Sequence, residues 1–120
     1  MEMVASITNI EQQTETALWW ETNVHYVDRF FYLMSSFQPN ARPSVQNALL
    51  GNLDLLRTRV EDEPFPVSVN EARRHLLDAM SFAIMSLMRQ MESDVQGAQN
   101  HQTDIRRALD DFSSALNDML

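Results

Sequence analysis

The residues in this chain best suited to bind a metal or move a proton recur at fixed spacing. Glu21, His25 and Asp28 follow the pattern Glu-x3-His-x2-Asp, and Glu71, His75 and Asp78 repeat it 50 positions later. Each trio continues to an aromatic, Tyr32 and Phe82, and His101 with Asp104 repeats the last part of the pattern. On a helix, residues at i, i+4 and i+7 share a face, and carboxylates with imidazoles build di-iron and zinc sites in helical bundles. The trios therefore point to a metal- or small-ligand-binding bundle as one reading of the chain.

Their position on the helix weakens that reading. At about 100° per residue, counted from Ile10, Glu21, His25 and Asp28 fall at about 0° to 60°, opposite an apolar arc centred near 230°. Counted from Val69, the second trio lies at about 180° to 240° while its helix's apolar side lies near 10°. Metal ligands in a bundle converge inward, and both trios face outward. The spacing also differs from the Glu-x-x-His of di-iron bundles. The ordinary meaning of an i, i+4 polar series is a solvated, mutually hydrogen-bonded face.

Other chemistries lack their residues. There is no cysteine, which removes disulfides, thiolate metal sites and thiol nucleophiles. No Gly-rich phosphate loop, P-loop or zincin motif is present, and the spacing suggests no activated nucleophile with its base. The chain thus reads as non-enzymatic, with nothing that asks for a cofactor. Seventeen acids against nine bases, all nine of them arginine, give a net charge of −8. An acidic surface without a basic stripe repels nucleic-acid phosphates and anionic lipid, so the expected partner is protein. The opening Met-Glu-Met-Val-Ala-Ser has neither a basic nor an apolar region of the secretory kind, which makes a cytoplasmic location the expectation.

The elements that must position these residues are helices. Two glycines and four prolines in 120 residues, with 44% apolar side chains, fit helices joined by short connections in a single domain. The stretch 17–37 holds both tryptophans, both tyrosines and three of the six phenylalanines. On the wheel, Trp19, Tyr26, Phe30, Leu33 and Phe37 occupy one sector and Trp20, Val24, Val27, Phe31 and Met34 the next, a joint arc of roughly 180°. A surface helix facing one core needs an arc of only about 100°. This helix therefore meets two neighbours, or one neighbour and a partner chain. Its polar sector rules out a membrane span, which takes about 20 predominantly apolar residues.

Punctuation residues divide the chain into helices at about 9–37, 43–61, 69–95 and 102–119. Thr8 and Glu11 have capping-box spacing at the first start, and Gln38-Pro39-Asn40 closes that helix. Pro43 suits the first turn of the second helix, and Glu61 to Val67 is an acidic connection stiffened by Pro64 and Pro66. Ser68 and Glu71 form a second capping box. Gly97 is the one breaker between the third and fourth helices. In the last helix Ile105, Leu109, Phe112, Leu116 and Met119 step along one side. Asn23 and Asn52 fall inside apolar sides and are candidates to bond each other and fix register.

The expectation is an all-α four-helix bundle, up-down-up-down, with helices one and three long (about 40 Å) and two and four shorter (under about 30 Å) at ~1.5 Å per residue. The 50-residue offset also admits two helical hairpins related by duplication, though helices two and four match poorly. Met80, Met85, Met88 and Met91 could fill the core or form an adaptable groove for a partner helix. The surplus of aromatic and methionine surface on helices one and three marks an interface. The candidates are Trp19, Tyr26, Phe30, Tyr32, Phe82, Met85 and Met88, on a module that self-associates or takes another chain.

Overall fold

The computed structural model describes residues 2–38 and 40–120, with side chains from residue 10 onward. Among the described residues there are four α-helices and no strand: α1 (Glu2–Ser35), α2 (Pro43–Asp62), α3 (Asn70–Met91) and α4 (Val95–Met119), with one 3-10 turn, Val67–Val69, leading into α3. The expected all-α four-helix bundle is what forms.

Side-chain contacts fix the direction of each helix. Arg57 of α2 donates to Ser81 of α3 (2.7 Å), and Arg73 reaches back to the Glu61 carbonyl (2.8 Å), so α2 and α3 run antiparallel. Ser86 donates to the Ala98 carbonyl (3.0 Å) and Trp20 packs on Phe112 with ring centroids 5.9 Å apart, so α4 opposes both α3 and α1. Thr16 and Ser68 hydroxyls meet at 3.2 Å where α1 enters the bundle and α3 begins, which makes α1 and α3 the parallel, diagonal pair. The order is up-down-up-down.

The core runs down the axis between these helices. Phe30, Leu53, Val60, Leu76 and Met80 are its most completely enclosed large side chains. Packing is uneven, with α3 and α4 the tightest pair and α1 meeting α4 only sparsely. The reason lies in side-chain size. Buried Ala72, Ala79 and Ser86 repeat every seven residues on α3, and Ala98 and Ala108 are buried on α4, so these two backbones approach closely. On the α1 side, bulky Trp20 packs on Phe112 of α4 and keeps the two backbones further apart.

Several sequence expectations about boundaries are corrected. α1 begins at Glu2, so Thr8 lies inside a helix rather than capping one; its side chain is outside the described residues. The capping box at Ser68 and Glu71 does not form, because the intervening 3-10 turn makes Val69 the N-cap residue, without a side-chain cap. Ser68 bonds Thr16 instead. Asn23 and Asn52 do not meet: each donates to the carbonyl four residues back, Asn23 from a fully buried position and Asn52 from an exposed one.

The turn between α3 and α4 falls at Glu92–Asp94, not around Gly97. Ser93 takes a left-handed conformation (φ 63°), and the Asp94 and Ser93 amides donate to the Arg89 and Gln90 carbonyls at 2.8 and 3.0 Å. This is a Schellman ending, with serine where glycine is usual. Asp94 then caps α4, its Oδ1 accepting from the Gly97 amide at 2.9 Å. A Cβ on Gly97 would collide with that carboxylate. Gly97 therefore makes room for a cap and does not break a helix. With the boundary moved, α4 (25 residues) is longer than α3 (22 residues), and α1 (34 residues) alone overhangs the bundle. The overhang helps draw the molecule out to 60 Å along its longest axis against 23 and 18 Å across.

Candidate functional site

The trios occupy separate places. Glu21, His25 and Asp28 are exposed on the outer face of α1, away from the core as their register predicts. Asp78 is exposed on α3. His75 differs from expectation, because it turns toward α4 and lines a cleft with Glu71, Asp111, Ser114 and Asp118. Its Nε2 stands 3.8 Å from the Glu71 carboxylate. His101 is also drawn to the α3–α4 seam, stacked on Phe82 at 6.3 Å with an interplanar angle of 23°. Its Nδ1 is 3.6 Å from Asp104 Oδ2, just outside hydrogen-bond reach. Among the described residues no three carboxylate or imidazole groups come together as a metal-ligand set.

The interface candidates divide sharply. Trp19 (5% exposed) and Phe30 (0%) are core residues, which corrects their assignment to a surface. Phe82 is half-buried against His101. Tyr26 is half-buried and donates to Glu63 Oε2 at 3.3 Å; burial, then the Glu63 charge and the hydrogen bond, raise the phenol above its usual pKa, with Arg59 opposing. Tyr32 is exposed, with the Arg29 guanidinium over its ring at 5.5 Å. Met85 and Met88 are exposed on the outer side of α3, while Met80 is core and Met91 half-buried. Because α1 and α3 are diagonal, their outer faces point opposite ways and do not merge into one patch.

Phe31 was absent from the expected set. It is 51% exposed, although Phe30 beside it is fully enclosed. Phe31 and Met34 form one wall of an open groove of about 520 Å³ between α1 and α4. Ile105 and Leu109 form the other, and Arg106 and Asp110 stand on its rim. The sequence places Phe31 in the same sector as Trp20, Val24 and Met34. What it lacks is the separation of α1 from α4 that leaves part of this sector uncovered.

No protein-family model, curated protein or solved structure matches this chain. Among the described residues no helix is long and apolar enough to cross a membrane.

Proposed function

We propose that this chain is a non-enzymatic interaction module that self-associates through the groove between α1 and α4. The observation that carries the reading is the apolar surface left open there, with Phe31 and Met34 facing Ile105 and Leu109 across a gap the chain does not fill. Contiguous apolar surface rimmed by polar groups is a feature of protein interfaces, and aromatic and methionine side chains concentrate in them. A second copy suits the charge pattern. Most dimers join the same patch to itself about a two-fold axis, so charged groups on that patch pair favourably when both signs are present. Arg106 beside Asp110 supplies both. Exposed Tyr32 extends the surface outward along α1. The acidic trio of α1 flanks this surface and stays in solvent.

Sedimentation equilibrium from about 1 µM to several hundred µM, which spans weak to moderate self-association, tests the proposal. The native chain is expected to dimerise, and Phe31→Glu to remain monomeric with unchanged helical circular dichroism, because Phe31 contributes little to the core. A native chain that stays strictly monomeric, or a Phe31→Glu variant that associates equally well, refutes it.

A further inference from the structure

A second groove lies midway along α1, against the proline connection. Leu18, Trp19 and Thr22 form its helical side, and Pro64 and Pro66 form the opposite side. Among the described residues Glu15 and Glu63 supply its charged groups, and Asn23 closes its floor. Asn23 is 0% exposed. Its amide nitrogen donates to the Trp19 carbonyl at 2.9 Å, while its Oδ1 is buried with no partner among the described residues. A buried acceptor left without a donor costs stability, and such groups are uncommon in folded proteins. This one lies beneath a groove of about 330 Å³ whose lining carries two carboxylates and no cation.

We propose that this groove binds an arginine side chain presented by a partner polypeptide. Every polar feature of the groove that waits for a ligand is an acceptor. The Asn23 Oδ1 needs an N–H, Glu15 is exposed, and Glu63 spends one carboxylate oxygen on the Tyr26 hydroxyl and keeps the other. Arginine offers five N–H donors in a planar fork and no acceptor, on a stem of three methylenes. The stem lies along Leu18, Trp19 and Pro64 and the fork engages the carboxylates; the Asn23 Oδ1, closed to solvent in the free chain, takes an N–H when the groove side chains part around the guanidinium. Lysine matches less well, since its compact ammonium is strongly hydrated and cannot span separated acceptors. The groove is open along its length, whereas small-molecule sites enclose most of their ligand, and so it suits a side chain delivered from another chain. The net charge of −8 draws such a partner in. The groove does not overlap the α1–α4 surface, so the two proposals stand or fall separately.

The test is a titration of the full chain with acetyl-Gly-Arg-Gly-amide, followed through the two tryptophan indole N–H signals by NMR. Saturable movement of the Trp19 signal is expected, with the Trp20 signal, packed on Phe112, left in place. The same peptide with citrulline, which keeps the shape and loses the charge, should bind at least tenfold more weakly, as should the lysine peptide. The double variant Glu15→Gln/Glu63→Gln, in which the amide oxygen at position 63 can still accept from the Tyr26 hydroxyl, should lose at least tenfold in affinity, and Asn23→Leu should do so independently. Absence of a saturable Trp19 shift up to tens of millimolar peptide overturns the proposal, and so does equal binding of the citrulline peptide or by the variants. Loss of self-association in Glu15→Gln/Glu63→Gln would overturn the assignment of the occupant to a foreign chain, since a second copy would then be supplying the arginine.

Discussion

Replacing Asn23 with leucine should make the protein more stable, and the size of the gain follows from the surroundings of that side chain. Asn23 is fully enclosed on α1, and its Oδ1 has no donor among the described residues. Removing a buried unsatisfied acceptor recovers about 1–3 kcal/mol. The change also removes the bond from Nδ2 to the Trp19 carbonyl, worth about 0.5–1.5 kcal/mol. That carbonyl keeps its partner, because the Asn23 backbone amide still donates to it within α1, so no new orphan is created. Leucine gains a few tenths of a kcal/mol in helix propensity and adds apolar burial, against a packing cost of about 1.5 kcal/mol for a bulkier side chain with the same heavy-atom count and branching. The net expectation is about 1–2 kcal/mol of added stability. For 120 residues, at about 2.1 cal/mol/K of unfolding entropy per residue, each kcal/mol moves Tm by roughly 4 °C, so Tm should rise by about 4–8 °C. Thermal unfolding followed by circular dichroism, with a urea titration to check that the slope is unchanged, measures it. Asn23→Asp is the control, and should destabilise at neutral pH by placing an unpaired carboxylate where the amide stood. Its pKa would be raised by burial, so the loss should appear as pH rises from about 4 and fade below it. A leucine variant less stable than the native protein at unchanged slope would refute the reasoning, because it would mean that Oδ1 already has a donor. If both leucine effects hold, Asn23 is kept at a cost in stability for what it binds, a common trade at functional positions.

Three further outcomes follow from the same structure. Ser93→Gly should add about 1 kcal/mol by relieving a left-handed serine at the end of α3, read as a higher urea midpoint; no change would mean that the turn is not under strain. Ala79→Leu should destabilise by about 1–3 kcal/mol, because Ala79 is fully buried on the α3 side with small residues, and additional methylenes there force the helices apart; a neutral result in urea unfolding would show the α3–α4 pair to be loosely packed. Tyr26 has its phenol pKa raised in the folded state, so the folded chain retains a proton that the unfolded chain loses above about pH 10, and stability present below that pH should fall as pH rises through this region. Tyr26→Phe should flatten that decline in urea midpoints between pH 8 and 11. The absence of lysine leaves few competing titrations in this range. An equally steep decline in the variant would assign it elsewhere.

Where the fold was legible in the sequence, a short-range rule was enough. Pro64 and Pro66 cannot continue a helix, Pro43 suits a first turn, and the step from Ile105 to Met119 repeats at helical period, so helix count and class follow from covalent geometry and burial of one face. The outward register of Glu21, His25 and Asp28 followed in the same way. The α3–α4 boundary was misplaced because glycine is the usual left-handed residue, whereas here Ser93 takes that conformation and Gly97 serves a cap. Nothing in a single chain distinguishes a glycine needed for its backbone freedom from one needed because a neighbouring carboxylate occupies the space of its Cβ.

The sequence by itself determined that α1 carries a wider apolar arc than one neighbour covers, since residue type and a 100° step fix which side chains share a face. Only the tertiary structure decided which of them stay wet. Phe30 and Phe31 are adjacent and chemically identical, yet one is enclosed and the other half-exposed, because exposure depends on how near the next helix comes. That distance is set by alanines drawing α4 onto α3 and by bulky side chains holding it from α1. Likewise, Asn23 could be placed on an apolar face from its position alone, but its missing partner is a fact about three-dimensional neighbours. Pairwise distances between helices are properties of the packed whole, and a periodic pattern along one helix does not contain them.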